Sequence, residues 1–382
     1  MNSKLFQKTL GIVGGGQLGK MLLSECNKMN INTYILDPND NSPCKKMTNK
    51  FHLGDFKDFD TVLNFGKECD LITFEIEHIN VDALEKLEAL GKKVYPSSYT
   101  LRIIQDKYKQ KCFFKDHNIP TANFKFFENI QELNKSLNNN EIKFPCVWKK
   151  TKFGYDGFGV KILKSVDDII DLPQTEMIIE DLVAFDKELS IIVARSESGE
   201  IKCFKTVEME FNSDSNQVEF VISPAKISKK IDNLAQELAI KLVKSLNCVG
   251  LLAVEMFLHD DTILINELAP RPHNSGHLTI EACQTSQFQQ HIRSIFNLKL
   301  GQTTQNGSAV MLNLVGENNY SGGVLYENLD TVFNIKEANL HIYGKTETRP
   351  NRKMGHITII CNNFDEAYEN AKLLKSKIKV KS

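Results

Sequence analysis

Two glutamates in neighbouring predicted strands are the residues whose types and spacing first suggest chemistry. Glu255 lies inside the apolar run LLAVEMFL, and Glu267 follows Asn266 at the end of TILINE. A carboxylate is costly to bury in an apolar strand unless it is paired or bound to a metal. Oxygen ligands from Glu and Asn suit Mg²⁺, which binds one or two carboxylates together with substrate phosphates. We therefore predict a magnesium site at Glu255 and Glu267.

The register of this hairpin decides whether both carboxylates reach the same face, because strand side chains alternate between faces. A three-residue turn at residues 259–261 would place residue 265 opposite Glu255 and Glu267 diagonally on the same face. A two-residue turn would send the carboxylates to opposite faces. The magnesium site requires a shared face, so we predict the three-residue turn.

A dense run of polar side chains follows the second strand. Proline and glycine shape it into a rigid loop, and its donor-bearing side chains are Arg271, His273, Asn274, Ser275 and His277. A single histidine here would more often have a structural role. The whole run, beside two carboxylates suited to a metal, predicts a functional loop.

A glycine-rich loop, GYDGFG at residues 154–159, follows a predicted strand that ends with Lys149 and Lys150. Backbone N–H groups and a lysine ammonium can share the charge of a polyphosphate. The Gly-Lys-Ser/Thr of a Walker motif is absent, and a glycine-rich hairpin turn is the alternative. We expect a mobile loop when no polyphosphate is bound, because a cover must open for exchange.

A second glycine motif, Gly14-x-Gly16-x-x-Gly19, lies between a strand and a helix, and Asp37 ends the next strand. This arrangement matches the dinucleotide-binding fingerprint. Three interpretations are open: a nicotinamide site, a tight turn of a parallel sheet, and a phosphate site for another ligand at the helix N-terminus.

The elements that position these motifs fall into three regions. Residues 1–105 alternate strands with helical patterns, which predicts an α/β, Rossmann-like, doubly wound parallel sheet. Residues 106–300 mix strands and helices in an α+β arrangement. Residues 301–382 form a small β-rich domain with a closing helix at Phe364–Lys377. The Asn-rich stretch at residues 134–141 is predicted to be a loop.

Composition sets broad limits on function. The chain has 382 residues, 41% hydrophobic and 25% charged, and its net charge of -1 gives no general attraction to nucleic acid or anionic membrane. No apolar run reaches the ~18 residues of a membrane span. The nine cysteines are scattered without a C-x-x-C pair, which is typical of reduced thiols. We expect a soluble, cytoplasmic protein with no nucleic-acid or membrane partner.

The motifs together resemble the ATP-grasp superfamily, and within it the carboxyaminoimidazole ribonucleotide synthetases of purine biosynthesis. The resemblance covers residues 10–300 and returns at residues 352–356. It rests on the segments GIVGGGQLGKML, TFEIEHI, IQDKYKQK, KKTKFGYDGFG, EDLVAFDKELS and NELAPRPHNSGHLTIEACQTSQFQQHIR. It implies a pre-ATP-grasp domain at 1–105, an ATP-grasp domain at 106–300 and a small C-terminal domain at 301–382.

The implied reaction is the ATP-dependent carboxylation of 5-aminoimidazole ribonucleotide with bicarbonate. ATP phosphorylates bicarbonate to carboxyphosphate, and the exocyclic amine captures that intermediate or the carbon dioxide it releases. The resemblance also implies Mg²⁺, or Mn²⁺ in its place, and a homodimer. The alternatives are a related ATP-grasp ligase with another acyl donor such as formate, an NAD-dependent oxidoreductase and a non-catalytic nucleotide-binding scaffold.

The resemblance also implies the residues that bind ATP. Lys107, where the family often has arginine, and Lys149 contact the phosphates, Glu188 accepts the ribose hydroxyls, and Asn266 and Glu267 lie at the phosphate end. The covering loop comprises Gly154, Tyr155, Asp156, Gly157, Phe158, Gly159 and Val160. The adenine linker comprises Glu180, Asp181, Leu182 and Val183.

For the ribonucleotide and the chemistry, the resemblance implies a further set. Glu75 lies near the reacting amine, and Arg352 with Lys353 forms a phosphate clamp. The remaining substrate contacts are Gly15, Gly16, Gln17, Leu18, Asp156, His273, Asn274 and Ser275. The implied catalytic residues are Arg271, Lys353, Glu75 and Tyr155.

Overall fold

In the computed structural model of the protein, which describes residues 7–152, 159–213 and 215–382, the chain begins with a parallel sheet. The elements up to residue 104 are β1 (Thr9–Val13), α1 (Gln17–Lys28), β2 (Asn32–Asp37), β3 (Lys50–Leu53), α2 (Phe59–Lys67), β4 (Leu71–Phe74), α3 (Val81–Ala89), β5 (Lys93–Val94) and α4 (Ser98–Ile104). The strands are ordered β3-β2-β1-β4-β5, and every pair is parallel. The predicted Rossmann-like sheet is confirmed.

An antiparallel sheet, ordered β6-β9-β7-β8, follows in the described residues up to 181. Its elements, with the helices beside them, are α5 (Lys107–Asp116), β6 (Phe124–Phe127), α6 (Ile130–Asn138), β7 (Cys146–Lys150), β8 (Val160–Leu163) and β9 (Met177–Asp181). The buried side chains of Trp148, Met177 and Ile179 form its core. The strand that precedes the glycine loop is thus anchored on both of its edges.

The prediction of a loop at residues 134–141 is wrong, because residues 134–138 belong to α6. Asn129 caps this helix by accepting a hydrogen bond from the backbone N–H of Glu132. Leu133 is buried, and Leu137 packs against the core of the antiparallel sheet. Apolar side chains at helical spacing therefore outweigh the low helix propensity of the asparagines.

A larger sheet is formed by the described residues from 187 onward, ordered β15-β14-β10-β12-β13-β16-β21-β19, with β11 paired to β10. Its elements up to residue 295 are β10 (Lys187–Arg195), β11 (Ile201–Cys203), β12 (Val207–Phe211), β13 (Val218–Ser223), α7 (Lys229–Ser245), β14 (Gly250–His259), β15 (Thr262–Ala269), α8 (Thr279–Ala282) and α9 (Gln287–Ile295). The mixture of strands and helices agrees with the predicted α+β class.

The C-terminal strands extend this sheet. The elements after residue 300 are β16 (Ser308–Val315), β17 (Gly322–Gly323), β18 (Leu325–Glu327), β19 (Ala338–Ile342), β20 (Glu347–Thr348), β21 (Lys353–Cys361), α10 (Phe364–Lys377) and β22 (Lys379–Lys381). β13 pairs with β16 from Phe220 opposite Leu312 to Ser223 opposite Ala309. The β-rich C-terminal region with its closing helix is confirmed, and the sheet crosses residue 300 without a break.

Helix α9 joins the N-terminal sheet to the rest of the molecule. Its buried side chains Phe288 and Ile292 share an apolar core with Leu22 of α1. His291, on the same helix, is buried and places Nε2 2.7 Å from Oγ1 of Thr73 on β4. Burial lowers the pKa of His291 to about 3. The contact between the two regions therefore contains a neutral imidazole.

None of the helices in the described part of the chain is both long and apolar enough to span a membrane.

The buried imidazole predicts acid sensitivity. An unfolded histidine takes up a proton near its usual pKa of 6.5, whereas folded His291 does not until about pH 3. Its contribution to the free energy of unfolding is therefore present above pH 6.5 and is lost as the pH falls through the interval between these values. At about pH 5.5, one unit below the unfolded pKa, the loss is on the order of 1 kcal/mol.

We expect the urea midpoint of the wild type to fall more between about pH 7.5 and about pH 5.5 than that of the His291→Gln variant, which cannot take up this proton. His259→Gln, at an exposed position on the β14–β15 hairpin, is the control and should keep the wild-type pH dependence. Equal pH dependence in the wild type and the His291→Gln variant would contradict the interpretation.

Candidate active site

The hairpin of β14 and β15 places Glu255 directly opposite Glu267. Its loop has two residues, 260–261, so the predicted three-residue turn is wrong. A regular register after such a loop would put Asn266 opposite Glu255, with Glu267 on the other face. The register instead shifts at this point, and the extra residue is Asn266. This β-bulge returns Glu267 to the face of Glu255, which is the arrangement that the magnesium hypothesis requires.

A third carboxylate, Glu188, joins this pair from the neighbouring strand. Ser190 on β10 lies opposite Glu255, and Glu188 is two residues away and so points to the same face. Burial, followed by the charges of Glu255 and Glu267, raises the pKa of Glu188 to about 7. This end of the sheet therefore concentrates negative charge.

Lys107, the first residue of α5, forms an ion pair with Glu267. The charge of Lys107 outweighs burial and lowers the pKa of Glu267 to about 2. The carboxylate is therefore ionised at neutral pH. Asp106 fixes the start of the helix by accepting hydrogen bonds from the backbone N–H groups of Tyr108 and Lys109. Capping of α5 thus sets the position of the Lys107 side chain.

A second group of ion pairs, which is buried, lies beside the pair of Lys107 and Glu267. Glu180 is buried, with one carboxylate oxygen 2.9 Å from Lys149 Nζ and the other 3.1 Å from Lys111 Nζ. Lys149 also donates to Asn266 Oδ1 at 3.0 Å. Burial lowers the pKa of Lys111 to about 8. Sequence reasoning missed Lys111, although it lies four residues after Lys107 and so on the same face of α5.

The predicted adenine linker connects the antiparallel sheet to the larger one. β9 ends at Asp181, β10 begins at Lys187, and Leu182 is exposed between them. The Asp181 carboxylate faces outward and accepts from the Asn123 amide, at 2.8 Å. The side chain of Glu180 is buried, and the backbone crosses between the two sheets at residues 182–186.

The structure describes the predicted covering loop at its last two residues, Gly159 and Val160. The predictions for Gly154, Tyr155, Asp156, Gly157 and Phe158 lie outside the described residues. Gly159 has a φ of 79° and accepts a hydrogen bond from Lys150 N at 2.8 Å, and Val160 pairs with Lys149 on β7. The end of the loop therefore returns beside the strand that carries Lys149.

The polar loop after β15 points back to the carboxylates. His273 Nε2 lies 3.1 Å from Glu255, and its Nδ1 lies 2.9 Å from Ser275 Oγ. Arg271 Nη2 lies 3.1 Å from Glu77. Glu77 was missed because a charged residue just beyond a strand end is most often a solvated one. The loop thus faces both the hairpin and the C-terminal end of β4.

The N-terminal glycine turn is filled by the chain's own carboxylates. Glu75 accepts hydrogen bonds from Gly16 N at 2.8 Å and Gly19 N at 3.2 Å, and Asp37 accepts from Gly15 N at 2.7 Å. Burial raises the pKa of Glu75. A dinucleotide pyrophosphate would need these N–H groups, so the geometry argues against the nicotinamide interpretation.

The neighbours of this turn differ in their surroundings. The side chain of Leu18 is buried in the core between α1 and α9, which leaves only its backbone for a ligand, whereas Gln17 is partly exposed. The turn can therefore meet a substrate through Gln17 and through the backbone of Leu18.

The C-terminal region contributes two predicted residues with different surroundings. The pKa of buried His277 lies well below its usual value because of burial and then of nearby cationic groups, which include Lys353 and Arg271. The ring of His277 also lies 4.9 Å from that of His356 on β21, so the strand that begins at Lys353 runs beside the polar loop. Arg352 donates to the carbonyl oxygen of Glu347 at 2.7 Å, a contact within its own part of the chain.

The loop is also tied to the C-terminal strands through Asn274. Its side-chain amide exchanges two hydrogen bonds of 2.9 Å with the amide of Asn313 on β16. Because β16 lies next to β21, this pair couples the polar loop to the strand that begins at Lys353.

Comparison with known proteins gives the family. Family models match residues 7–105 (ribonucleotide synthetase preATP-grasp domain), 112–288 (ATP-grasp domain) and 309–370 (phosphoribosylaminoimidazole carboxylase C-terminal domain). The N5-carboxyaminoimidazole ribonucleotide synthase of Bacillus subtilis is 38% identical over 363 residues, which cover 94% of this chain and 92% of that relative. The chain belongs to the N5-carboxyaminoimidazole ribonucleotide synthetases. It is accordingly an ATP-grasp ligase of purine biosynthesis.

Solved synthetase structures have the same fold. The enzyme from Thermotoga maritima is 43% identical, with a TM-score of 0.89 over 98% of this chain and 99% of that one. The Aspergillus clavatus enzyme, in complex with ADP and 5-aminoimidazole ribonucleotide, is 33% identical, with a TM-score of 0.88 over 97% and 98%. The chloroplastic carboxylase of Vigna aconitifolia is 37% identical over 97% of this chain, which spans 67% of that longer protein.

The buried network predicts a strong effect of Glu180→Gln. The variant removes the charge that compensates Lys111 and Lys149, and breaking a buried ion pair costs about 3–5 kcal/mol. We expect a lower thermal unfolding midpoint and a higher KM for ATP, measured by calorimetry and initial rates. Glu128→Gln, at an exposed residue that directly follows β6 of the same sheet, should change neither. An unchanged midpoint in Glu180→Gln would show that the network does not stabilise this part of the fold.

Proposed function

We propose that this synthetase carboxylates 5-aminoimidazole ribonucleotide with bicarbonate through carboxyphosphate, and that Mg²⁺ assists. The observation that carries the proposal is the convergence of Glu255, Glu267 and Lys107 on one face of the β14–β15 hairpin, beside the loop of Arg271 and His273. These groups provide the charges that phosphoryl transfer needs. The names of the relatives, and the ligands of the Aspergillus clavatus complex, support the choice of substrate.

The proposed chemistry has two steps. A bicarbonate oxygen attacks the γ-phosphorus of ATP, the bond to the β-phosphate oxygen breaks, and ADP leaves with that electron pair. The exocyclic amine then forms an N–C bond with the carboxyl carbon of carboxyphosphate, or with the carbon dioxide it releases. Inorganic phosphate leaves and the nitrogen loses a proton. ATP thereby replaces the poor leaving group of bicarbonate with phosphate.

The proposed metal ligands, Glu255 and Glu267, fit Mg²⁺. Both offer carboxylate oxygens from one face, and the raised pKa of Glu188, caused by burial and then by these two charges, indicates that a cation would be favoured there. The described residues contain no cluster of three or more His, Cys, Asp or Glu side chains arranged to hold a metal by themselves. This agrees with an ion that shares its ligands with substrate phosphates. When bound, it would neutralise charge on the phosphate oxygens.

The ion pairs of Lys107 and of Lys149 support the proposed ATP contacts. We assign Lys107 and Lys149 to the phosphates and Glu188 to the ribose hydroxyls. The remaining proposed contacts are Asn266, Glu267, the linker backbone at residues 180–183 and the covering loop at residues 154–160. Lys149 is tied to Asn266 at 3.0 Å, which supports a common phosphate-binding end for these residues.

Arg271 is the proposed catalytic cation. Its buried Nε has no hydrogen-bond partner among the described residues, so a donor remains for a ligand oxygen. The ion pair with Glu77 and the hydrogen bond to Pro272 O fix the guanidinium plane. A fixed guanidinium stabilises the charge that develops on the transferred phosphoryl group without reorganisation.

The ribonucleotide would lie between the N-terminal turn and the polar loop. We propose that Glu75 lies near the amine and that Lys353 and Arg352 contact the ribonucleotide phosphate. The other proposed contacts are Gly15, Gly16, Gln17, Leu18, Tyr155, Asp156, His273, Asn274 and Ser275. The ties of Glu75 to the glycine turn and of Asn274 to β16 support a site that all three predicted regions, 1–105, 106–300 and 301–382, help to form. We also propose that the enzyme is cytoplasmic and forms a homodimer.

The reaction is tested by ADP formation. The purified protein with Mg-ATP, bicarbonate and 5-aminoimidazole ribonucleotide should release ADP in a coupled assay, and formate should not replace bicarbonate. ADP formation that does not depend on the ribonucleotide would refute the substrate assignment. Tight binding of NADH, measured by fluorescence, would instead revive the oxidoreductase alternative.

The role of Glu267 is tested by Glu267→Gln, which keeps the shape and removes the charge. We expect kcat to fall by about 100-fold or more, because metal and phosphate charge are no longer balanced. Glu197→Gln is the control: Glu197 also pairs with a lysine, Lys93, but it lies beyond the far end of β10 from Glu188. Circular dichroism should be unchanged in both. A folded Glu267→Gln variant with wild-type kcat would remove Glu267 from the metal site.

A further inference from the structure

Gln287, the first residue of α9, is fully buried and holds the polar loop by its backbone. Its Oε1 accepts a hydrogen bond from His273 N at 2.9 Å, and its Nε2 donates to His273 O at 2.7 Å. Backbone N–H can only donate and backbone C=O can only accept, so this pair of bonds fixes the orientation of the amide. One side chain thus satisfies both backbone groups of His273.

The same amide also fixes His277. Gln287 Nε2 lies 3.1 Å from His277 Nδ1, and because Nε2 is a donor, Nδ1 must accept. The neutral imidazole therefore carries its proton on Nε2. Both ends of the segment 273–277 are in this way tied to one residue.

The segment is moulded around this amide. A Cβ at Gly276 would lie 2.6 Å from Gln287 Oε1, so glycine is needed for the close approach. Gln287 N donates to Thr279 Oγ1 at 2.9 Å, and that hydroxyl donates to Gly276 O at 2.6 Å. The side chain and its own backbone therefore contact the loop at separate points, which leaves the loop little freedom.

His273, whose backbone Gln287 binds, contacts the proposed metal site. His273 contacts Glu255 through Nε2 and Ser275 through Nδ1, and Ser275 Oγ lies 2.8 Å from Ser190 Oγ on β10. Arg271 precedes His273 by two residues in the same loop. A shift of the His273 backbone would therefore move both the partner of Glu255 and the proposed catalytic cation.

Gln290 provides an internal comparison. It lies one turn later on α9, is also fully buried, and makes the same pair of bonds to the backbone of Gly301. Gly301 N donates to its Oε1 at 2.8 Å, and its Nε2 donates to Gly301 O at 3.1 Å. The two glutamines share type, helix, burial and bonding, but only Gln287 holds the polar loop.

We propose that Gln287 is a positioning residue for phosphoryl transfer: by holding the backbone of His273, it keeps His273 on Glu255 and Arg271 beside the transferred group. The proposal rests on the ATP-dependent carboxylation proposed above. It assigns to Gln287 an effect on the reacting geometry, whereas Gln290 contributes to stability alone.

The test compares Gln287→Met with Gln290→Met, since methionine has nearly the same shape without the hydrogen bonds. A displacement of about 1 Å at a reacting group costs on the order of 100-fold in rate, so we expect kcat of Gln287→Met to fall by about 10- to 100-fold. The KM for ATP should stay close to the wild-type value. Gln290→Met should keep kcat while losing a similar amount of thermal stability.

Equal kcat values for the two folded variants would overturn the proposal, and so would an effect of Gln287→Met on KM alone. If Gln287→Met does not fold, Gln287→Glu and Gln290→Glu, which keep one acceptor, repeat the comparison with the same two outcomes. The wild type is assayed first. Absence of ribonucleotide-dependent ADP there would refute the proposed function, whereas an active wild type with equal variants would refute only the role of Gln287.

Discussion

The balance of partly buried charge on the strands β10, β14 and β15 of the larger sheet is the constraint on which the rest of the site depends. Glu188, Glu255 and Glu267 converge there, and burial, followed by the charges of Glu255 and Glu267, raises the pKa of Glu188. Lys107 on α5 forms an ion pair with Glu267, which offsets part of the repulsion among the three carboxylates. The sheet, α5 and the neighbouring Glu180 network must therefore fold together for the site to exist.

This constraint explains the division of labour among the elements. The antiparallel sheet brings Lys149 to Asn266, and the linker after β9 joins it to the strand that carries Glu188. The N-terminal sheet supplies Glu75 from the end of β4, where the carboxylate occupies the N–H groups of the glycine turn. Charged groups from separate sheets thus meet at the site, while each sheet is stabilised by its own apolar core.

Backbone anchoring completes the arrangement. The loop that carries Arg271 and His273 is irregular, so it has no ladder of its own to hold it. Gln287 supplies backbone hydrogen bonds from one side, and the amide pair of Asn274 with Asn313 supplies a tie to the C-terminal strands. Such a loop can present fixed donors to a charged ligand without the entropy cost of ordering them at each turnover.

The sequence by itself determined the reaction class and the main elements, because motifs and periodicity are local: α10 has its predicted bounds, and the spacing of Glu255 and Glu267 already suggested a shared site. Tertiary structure decided what depends on residues distant in sequence. The turn of the hairpin was wrongly predicted, but the bulge at Asn266 places Glu267 on the face of Glu255 all the same. Glu75 accepts a hydrogen bond from a glycine turn that lies about sixty residues earlier in the chain. Helix α6 forms at an Asn-rich segment because its apolar face packs against the core of the antiparallel sheet, and local helix propensity does not predict such packing.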